Sequence, residues 1–489
     1  MRKAITFLTA LLVMAQLVAC GGSEVTPTDP TDTTDSETVT DQATSRQSSL
    51  PEKLDFKGTE IKILYWKGQG ECTDTQNGEI VNDALYQRDR TVEDRLGVKL
   101  TNIEREYTWD GRAQYIDTIR QSVMANDGAF DLVSGQYYAM PALIPDGALL
   151  ALNETKYVDF SNPWWANGLV DQTAINGKVY LASGEISIAN IKDLSCFYYN
   201  KRLVKEYSLE DPYELVKSGD WTLDKLFRMT AEIYSDLDND GKKSIGDLYG
   251  CYLYNDNAVY PLLTGAGIRM TTLDKDGYPE LTFGTERAID VMDKIANFVH
   301  NENGSFLPSV ARTGNETDVK KAFSSGLGVF TAGLVSDAAT QYNEMDDDFG
   351  VLPTPKYDSA QENYLTLVNE NNTLFGITAS TADPDAASAV MEALCEENHY
   401  TVSPAYFEVA LKVKYSRDEE SAQMFDLIRE GVTFDFGRLY VGATGVTLGS
   451  SDMKNAIIKD ESWASTYASK KDAAKAAIDS FIESVKKLG

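Results

Sequence analysis

EIKILYWKGQG, residues 60–70, decides how the folded part of this chain is read. Seven residues, mostly β-branched, aromatic or long apolar, stop at Lys67-Gly68-Gln69-Gly70, which marks a short strand with a loop at its carboxyl end. In the next stretch, 79–96, Ile80, Ala84, Leu85, Val92 and Leu96 fall near helical spacing, and Gly97 stands where a helix stops. A strand is expected over 98–103, then a helix over 112–125 with Tyr115, Ile116, Ile119 and Val123 on one face, then a strand over 130–135. Strand, helix, strand, helix, strand is the pattern of an α/β sheet with parallel crossovers. Ligands of such sheets collect at the carboxyl ends of strands, here Tyr65-Trp66 and residues 134–138.

A second stretch repeats the style without repeating the residues. An apolar strand over 194–199 ends in Asn200-Lys201, and Thr222 can cap a helix carrying Leu226, Phe227 and Ile233. A strand over 250–254 precedes a helix capped by Thr285, with Ile289, Met292, Ile295 and Val299. Further on, Asp383-Pro384 reads as a cap and first-turn proline opening the helix of Val390, Met391 and Leu394. Two α/β lobes are expected.

Before them the chain has a different character. Arg2 and Lys3, an apolar run over 4–18 and small Ala19 have the layout of an export signal, too short and too polar for a membrane span. Leu17-Val18-Ala19-Cys20 resembles the bacterial lipobox, in which the cysteine becomes the acylated N-terminus (hence the expectation of palmitate). Residues 23–50 are Thr, Asp, Ser, Glu, Pro and Gln with hardly an apolar side chain, so no burial offsets the entropy of ordering them. As a flexible tether of about 28 residues they would span about 30 Å, and roughly 90 Å when stretched.

Forty-five basic against 75 acidic residues leave a formal charge of −30, which argues against nucleic acid or anionic lipid as a surface partner and favours a neutral or cationic ligand. Cys72, Cys196, Cys251 and Cys395 lack metal spacing; they could pair in three ways, but isolated buried thiols are the commoner outcome in a chain this large. His300 and His399 lie far from any HExxH pattern or nucleophile elbow, and no dinucleotide turn or GxxxxGKS/T occurs. No catalytic residue and no organic cofactor are therefore expected.

From about Phe56 onward the chain resembles the extracellular solute-binding proteins, family 1, that serve bacterial ABC importers of carbohydrates. The resemblance rests on PWWANGLVDQTAINGKVY (163–180), FYYNKRL (197–203), EDPYELVKSGDWTLDKL (210–226), DDDFGVLPTPKY (346–357) and VSPAYFEVALKVKYSRDEESAQMFDLI (402–428). It implies a two-lobe periplasmic-binding-protein-like fold with an interlobe cleft and several hinge crossings, placed by analogy near 188–192, 372–378 and 433–437. The expected division is signal 1–19, lipidated Cys20 and tether 20–53, first lobe 54–190, second lobe 191–373, first lobe again 374–433 and second lobe 434–489.

Sugars present apolar C–H faces with hydroxyl rims, so their sites pair flat aromatics with carboxylates and amides. The candidates at or just past strand ends are Trp66, Gln136 and Tyr137 in the first lobe and Tyr254, Asn255 and Asn257 in the second, with Trp109 on a loop between strand and helix. Glu185, Phe434 and Tyr440 join them as residues near the crossings. Trp164-Trp165 and Trp221 read as structural. The stretch 236–247 matches a Ca²⁺ loop: Asp236, Asp238 and Asp240 at positions 1, 3 and 5, Gly241 at 6, the Lys242 carbonyl at 7 and Asp247 at 12. Asp rather than Glu at 12 and Lys243 at 8 depart from the pattern, and the competing reading is a solvated turn.

The expected function is a monomeric, lipid-anchored receptor on the extracytoplasmic face of the membrane, delivering a sugar or oligosaccharide to ABC permease subunits. The rivals are a membrane-anchored polysaccharide-degrading enzyme, for which two carboxylates would suffice, and an adhesive surface protein.

Overall fold

The computed structural model describes residues 48–369, 371–407 and 419–488. The export signal, Cys20 and the tether up to residue 47 lie outside the described residues. Among the described residues no helix is long and apolar enough to cross a membrane.

The strands are β1 (Thr59–Trp66), β2 (Val98–Arg105), β3 (Leu132–Gln136), β4 (Ser195–Asn200), β5 (Tyr234–Ser235), β6 (Leu248–Tyr252), β7 (Thr271–Leu273), β8 (Pro279–Leu281), β9 (Ser305–Phe306), β10 (Gly328–Leu334), β11 (Phe349–Leu352), β12 (Thr366–Leu367), β13 (Thr373–Ile377) and β14 (Val432–Thr433). They form two main sheets. The first has the order β13-β3-β1-β2, with β1 parallel to β2 and β3, and β13 antiparallel on the edge. Ile61, Ile63, Leu64 and Tyr65 of β1 are all buried, as a parallel strand covered on both faces requires. The second sheet, β11-β4-β10-β6-β5 with β9 beside β6, is mixed rather than purely parallel.

The helix starts and stops follow local chemistry. Helix Ile80–Leu96 ends at Gly97, whose φ of 60° is the left-handed cap that glycine adopts without a Cβ penalty. Thr222 and Thr285 each accept from a backbone N–H three residues on, at 3.2 Å, and Asp383 does so at 3.0 Å. The expected inner face of helix Ile80–Leu96 needs correction. Ile80 is 50% exposed, while Arg88 and Asp89 are buried as an ion pair at 2.7 Å. Arg88 also donates to the Glu71 carbonyl (2.9 Å) and to Asn398 (3.3 Å), long-range partners that no local periodicity announces.

The crossings are also redrawn. Leu194 bridges Val368, and β12 runs parallel to β14, so three passing segments lie side by side. The second passage ends before Thr373, because β13 already belongs to the first sheet. Helix Glu419–Glu430 packs on β11, with Ser421 bonded to the Tyr213 hydroxyl at 2.7 Å and Glu420 paired with Lys217 at 2.6 Å. Its buried Met424, Phe425 and Ile428 find cover on the second lobe, so 374–433 is not wholly first-lobe. The folded body also begins earlier than residue 54: Ser48 donates to Glu396 (2.8 Å), Ser49 to Glu392 (2.9 Å), and Leu50 is buried. Cys72, Cys196, Cys251 and Cys395 are all free thiols.

Candidate functional site

The carboxyl ends of β1 and β3 meet the start of β13, and the side chains there are wired together. The buried Trp66 donates its indole N–H to the Thr373 hydroxyl (2.9 Å) and packs edge-on against Tyr107 at 4.9 Å, whose own hydroxyl bonds Gln136. The Tyr137 backbone N–H donates to the Asn372 carbonyl at 3.0 Å. The loop after β1 then turns back on the crossings. Lys192 donates to the Gln69 carbonyl (2.7 Å), and Glu71, 3% exposed, accepts from Thr373 (3.1 Å) and from the Ser187 hydroxyl. The second Glu71 oxygen is buried without a hydrogen-bond partner. Burial pushes this carboxyl above its usual range, against those two hydrogen bonds.

The second lobe contributes from the ends of β6 and β10. Asn255 donates to Glu316 (2.6 Å), and Lys320 pairs with Glu316 (2.9 Å) and Asp337 (3.0 Å), its ammonium 5.5 Å from the Tyr254 ring centroid. Burial works against the Lys320 charge, but Asp337 and Glu316 outweigh it and raise its pKa. Asp193, on the first crossing, joins the two halves. Burial pushes its carboxyl up to about 6, opposed by Lys192 and reinforced by Glu71 from one lobe and Asp337 from the other. The result is a seam with four carboxylates and two lysines, lined by aromatics at its edge.

Of the ten residues singled out from sequence, Trp66, Gln136 and Tyr137 come together at the first-lobe edge, and Tyr254 and Asn255 at the second. Asn257 accepts from Lys454 (3.2 Å) in an adjoining groove, and Trp109 stands 48% exposed beyond Tyr107. Glu185 lies elsewhere, lining a cavity of about 250 Å³ with Trp165, Arg429 and Val432. His399 (3.0 Å) and Arg429 engage its carboxylate, and they outweigh burial to lower its pKa. Phe434 lines both that cavity and a small one beside Tyr137. Tyr440 is buried in a stack on Phe436 at 4.1 Å, a packing role. Sequence reasoning passed over Glu71, Lys192, Asp193, Lys320, Asp337 and Thr373. The signal available was Lys192-Asp193, the only charged residues in the stretch 186–194.

Trp164 and Trp165 point their indole N–H groups at a single carboxylate, Glu392, at 3.0 and 2.9 Å, which accounts for the pair as a structural device.

In the acidic loop, Asp236, Asp238 and Asp240 place one oxygen each within 4.8 Å of one another. Asp236 accepts from the Gly241 N–H (2.8 Å), which folds the loop back on itself, and its other oxygen is buried without a partner. That donor set fits a hard cation. Asp247 accepts from the Leu237 N–H (3.1 Å) and the Ser244 N–H (2.8 Å), so its carboxylate closes the loop.

A family model described as bacterial extracellular solute-binding protein matches residues 98–396. No curated protein matches the chain. Among solved structures, the cyclic alpha-maltosyl-1,6-maltose binding protein of Arthrobacter globiformis is 16% identical, with a TM-score of 0.57 over 87% of this chain and 99% of its own. The GacH receptor of Streptomyces glaucescens, solved unliganded and with acarbose, is 16% identical with a TM-score of 0.54 over 86% and 99%. UgpB of Mycobacterium tuberculosis, solved with glycerophosphocholine, is 14% identical with a TM-score of 0.55 over 86% and 99%. At these identities the likeness is one of fold.

Proposed function

The chain belongs to the bacterial extracellular solute-binding proteins, and from that membership we propose that it is the lipid-anchored receptor of an ABC importer. It takes a sugar or oligosaccharide between its lobes and hands it, chemically unchanged, to the permease. The observation that carries this reading is the family match over residues 98–396, joined to a fold shared with receptors for carbohydrates. Where the strand ends of the two sheets meet, Glu71, Asp193, Glu316 and Asp337 outnumber Lys192 and Lys320, so a phosphate or carboxylate held nearby would meet net negative charge, which suits a neutral solute. Receptors of the same fold for a cyclic maltosyl-maltose and for acarbose support the choice of ligand class. Acylation of Cys20 would hold the receptor near its permease at high effective concentration. The matching family and the solved receptors of the same fold are binding proteins, so the degrading-enzyme reading is not favoured.

Thermal-shift measurement against mono-, di- and oligosaccharides, with glycerophosphocholine as the non-sugar arm, is the test. The cognate sugar, at about 100 times its Kd, is expected to add about 2.7 kcal/mol of stability and to be recovered uncut. A rise with glycerophosphocholine alone, or a cleaved sugar, would overturn the reading.

For the acidic loop we propose bound Ca²⁺, held by Asp236, Asp238, Asp240 and the Lys242 carbonyl, with Asp247 shaping the loop around it. The ion would relieve the mutual repulsion of three clustered carboxylates. Chelation is expected to lower the melting temperature by a few degrees in the wild type and to change nothing in Asp238→Ala. An unchanged wild-type melting curve would leave a solvated turn as the answer.

A further inference from the structure

We propose that the lobes carry a clasp outside the solute seam: first-lobe segments 138–147 and 175–178 meet the second lobe at Gly442, Tyr278 and Leu488, and this contact holds the closed arrangement. The proposal rests on the two-lobe receptor reading above and adds to it residues that act on capture without touching the solute. Segment Val441–Thr444 belongs with the second lobe. Just before it, Asp435 accepts from the Met270 N–H and the Thr271 hydroxyl (3.0 Å), and the Arg438 guanidinium lies 4.1 Å from the Tyr260 ring centroid. The same segment packs on Met140–Leu143 of the first lobe, in a strip where Leu143, Ile144 and Val441 are all buried. At Gly442 the two backbones come so near that a Cβ would lie 1.9 Å from the Tyr138 carbonyl oxygen. Gly442 stands inside a helical turn whose dihedrals any residue adopts, so the glycine is required by the neighbouring lobe and not by its own.

Two further contacts lie beyond this one. Tyr278, between β7 and β8, donates its hydroxyl to Asn176 (3.2 Å), with the Lys486 ammonium 4.3 Å from its ring centroid. Asn176 and Gly177, at φ of 52° and 74°, form a tight turn closed by Ile175 and Lys178 at 3.0 Å in each direction, which fixes the acceptor. Leu488 reaches the turn at Gly147, where a Cβ would lie 3.3 Å from its side chain. Tyr137, next to Tyr138, belongs to the first-lobe edge of the seam and shares a small cavity with Phe434, Arg438 and Leu439. A rotation about the crossings that opens this edge carries Tyr138 away from Gly442, so the clasp is made when the seam is closed. Every contact in it joins protein groups to one another, so it needs no solute. It sets the closed fraction, and apparent affinity scales with the fraction of molecules in the binding-competent state.

Small-angle X-ray scattering of the protein without added solute tests this, beside calorimetric titration with the mono-, di- and oligosaccharides of the thermal-shift panel. Wild type is expected to scatter as the closed arrangement. Gly442→Ala adds a methyl group that the helical turn accepts and the Tyr138 carbonyl excludes, so a larger radius of gyration is expected. Each sugar that binds is expected to lose the same factor, about tenfold, as a tenfold fall in the competent fraction requires. Tyr278→Ala removes a contact at the surface and is expected to move both readouts the same way by less; it decides the matter if Gly442→Ala does not fold. Scattering unchanged from wild type in the folded variants, or a loss confined to one sugar, would overturn the clasp while leaving the receptor standing. A wild type that binds no carbohydrate would overturn the carbohydrate reading alone, because the scattering comparison uses no sugar.

Discussion

Glu392→Ala is expected to cost about 3 to 5 kcal/mol of folding stability, the largest loss of any single substitution considered for this chain. Glu392 sits on helix Pro384–Glu397, fully buried, and accepts from five donors. These are the Trp164 and Trp165 indoles (3.0 and 2.9 Å), Asn162 (2.8 Å), the Asp159 backbone N–H (3.1 Å) and the Ser49 hydroxyl (2.9 Å). Burial pushes its carboxyl up, and the donors from Asp159, Ser49, Trp165 and Asn162 oppose that. Removing the carboxylate leaves two buried indole N–H groups and a backbone amide with nothing to bond, and each orphaned donor costs roughly 1–3 kcal/mol. Glu392→Gln keeps one acceptor oxygen but turns an NH₂ toward donors, so it is expected to lose about half as much. Urea unfolding checks both through a lower midpoint at constant slope. A loss under about 1 kcal/mol for Glu392→Ala would mean that these contacts do not hold the first lobe together. The same carboxylate receives Ser49, so the variant would also loosen the start of the folded body.

The second large effect concerns Asp193 and pH. Its carboxyl is pushed up to about 6 by burial, with Lys192 opposing and Glu71 and Asp337 reinforcing, against an unfolded value of about 3.9. Between those two values the folded state binds more protons than the unfolded one, so this group's contribution falls as pH rises. It is fully favourable below about 4 and lost on passing through about 6, a difference of about 3 kcal/mol at 1.36 kcal/mol per unit. Asp193→Asn does not titrate. Its stability relative to wild type is therefore expected to improve by about 2 to 3 kcal/mol between pH 4 and pH 8, measured by urea unfolding of both proteins at each pH. A relative stability independent of pH would overturn the assignment.

Much of the fold was legible in the sequence where the cause is local. The strand at 60–66, the stop at Gly97, the caps Thr222, Thr285 and Asp383, and the fold-back of the acidic loop all depend on residues a few positions apart. Helix Ile80–Leu96 shows where that logic fails. Its register was read from apolar spacing, yet Arg88 and Asp89 are inside and Ile80 is outside. A buried ion pair is admissible only with partners to satisfy it, and those partners, Glu71 and Asn398, come from other parts of the chain.

The candidate site divides in the same way. Trp66, Gln136, Tyr137, Tyr254 and Asn255 could be named because strand ends follow from pattern. Glu71 and Thr373, bonded to each other across 302 positions of sequence, could not. By itself the sequence determined the alternation of strand and helix, the acidic balance and the positions where elements begin and end, since backbone propensity and capping act over a turn or two. Only the tertiary structure decided that helix Glu419–Glu430 serves the second lobe and that Glu392 gathers two tryptophans. It alone brought Glu71, Asp193, Lys320 and Asp337 to one seam, because burial and charge pairing depend on which distant surfaces the folded chain brings into contact.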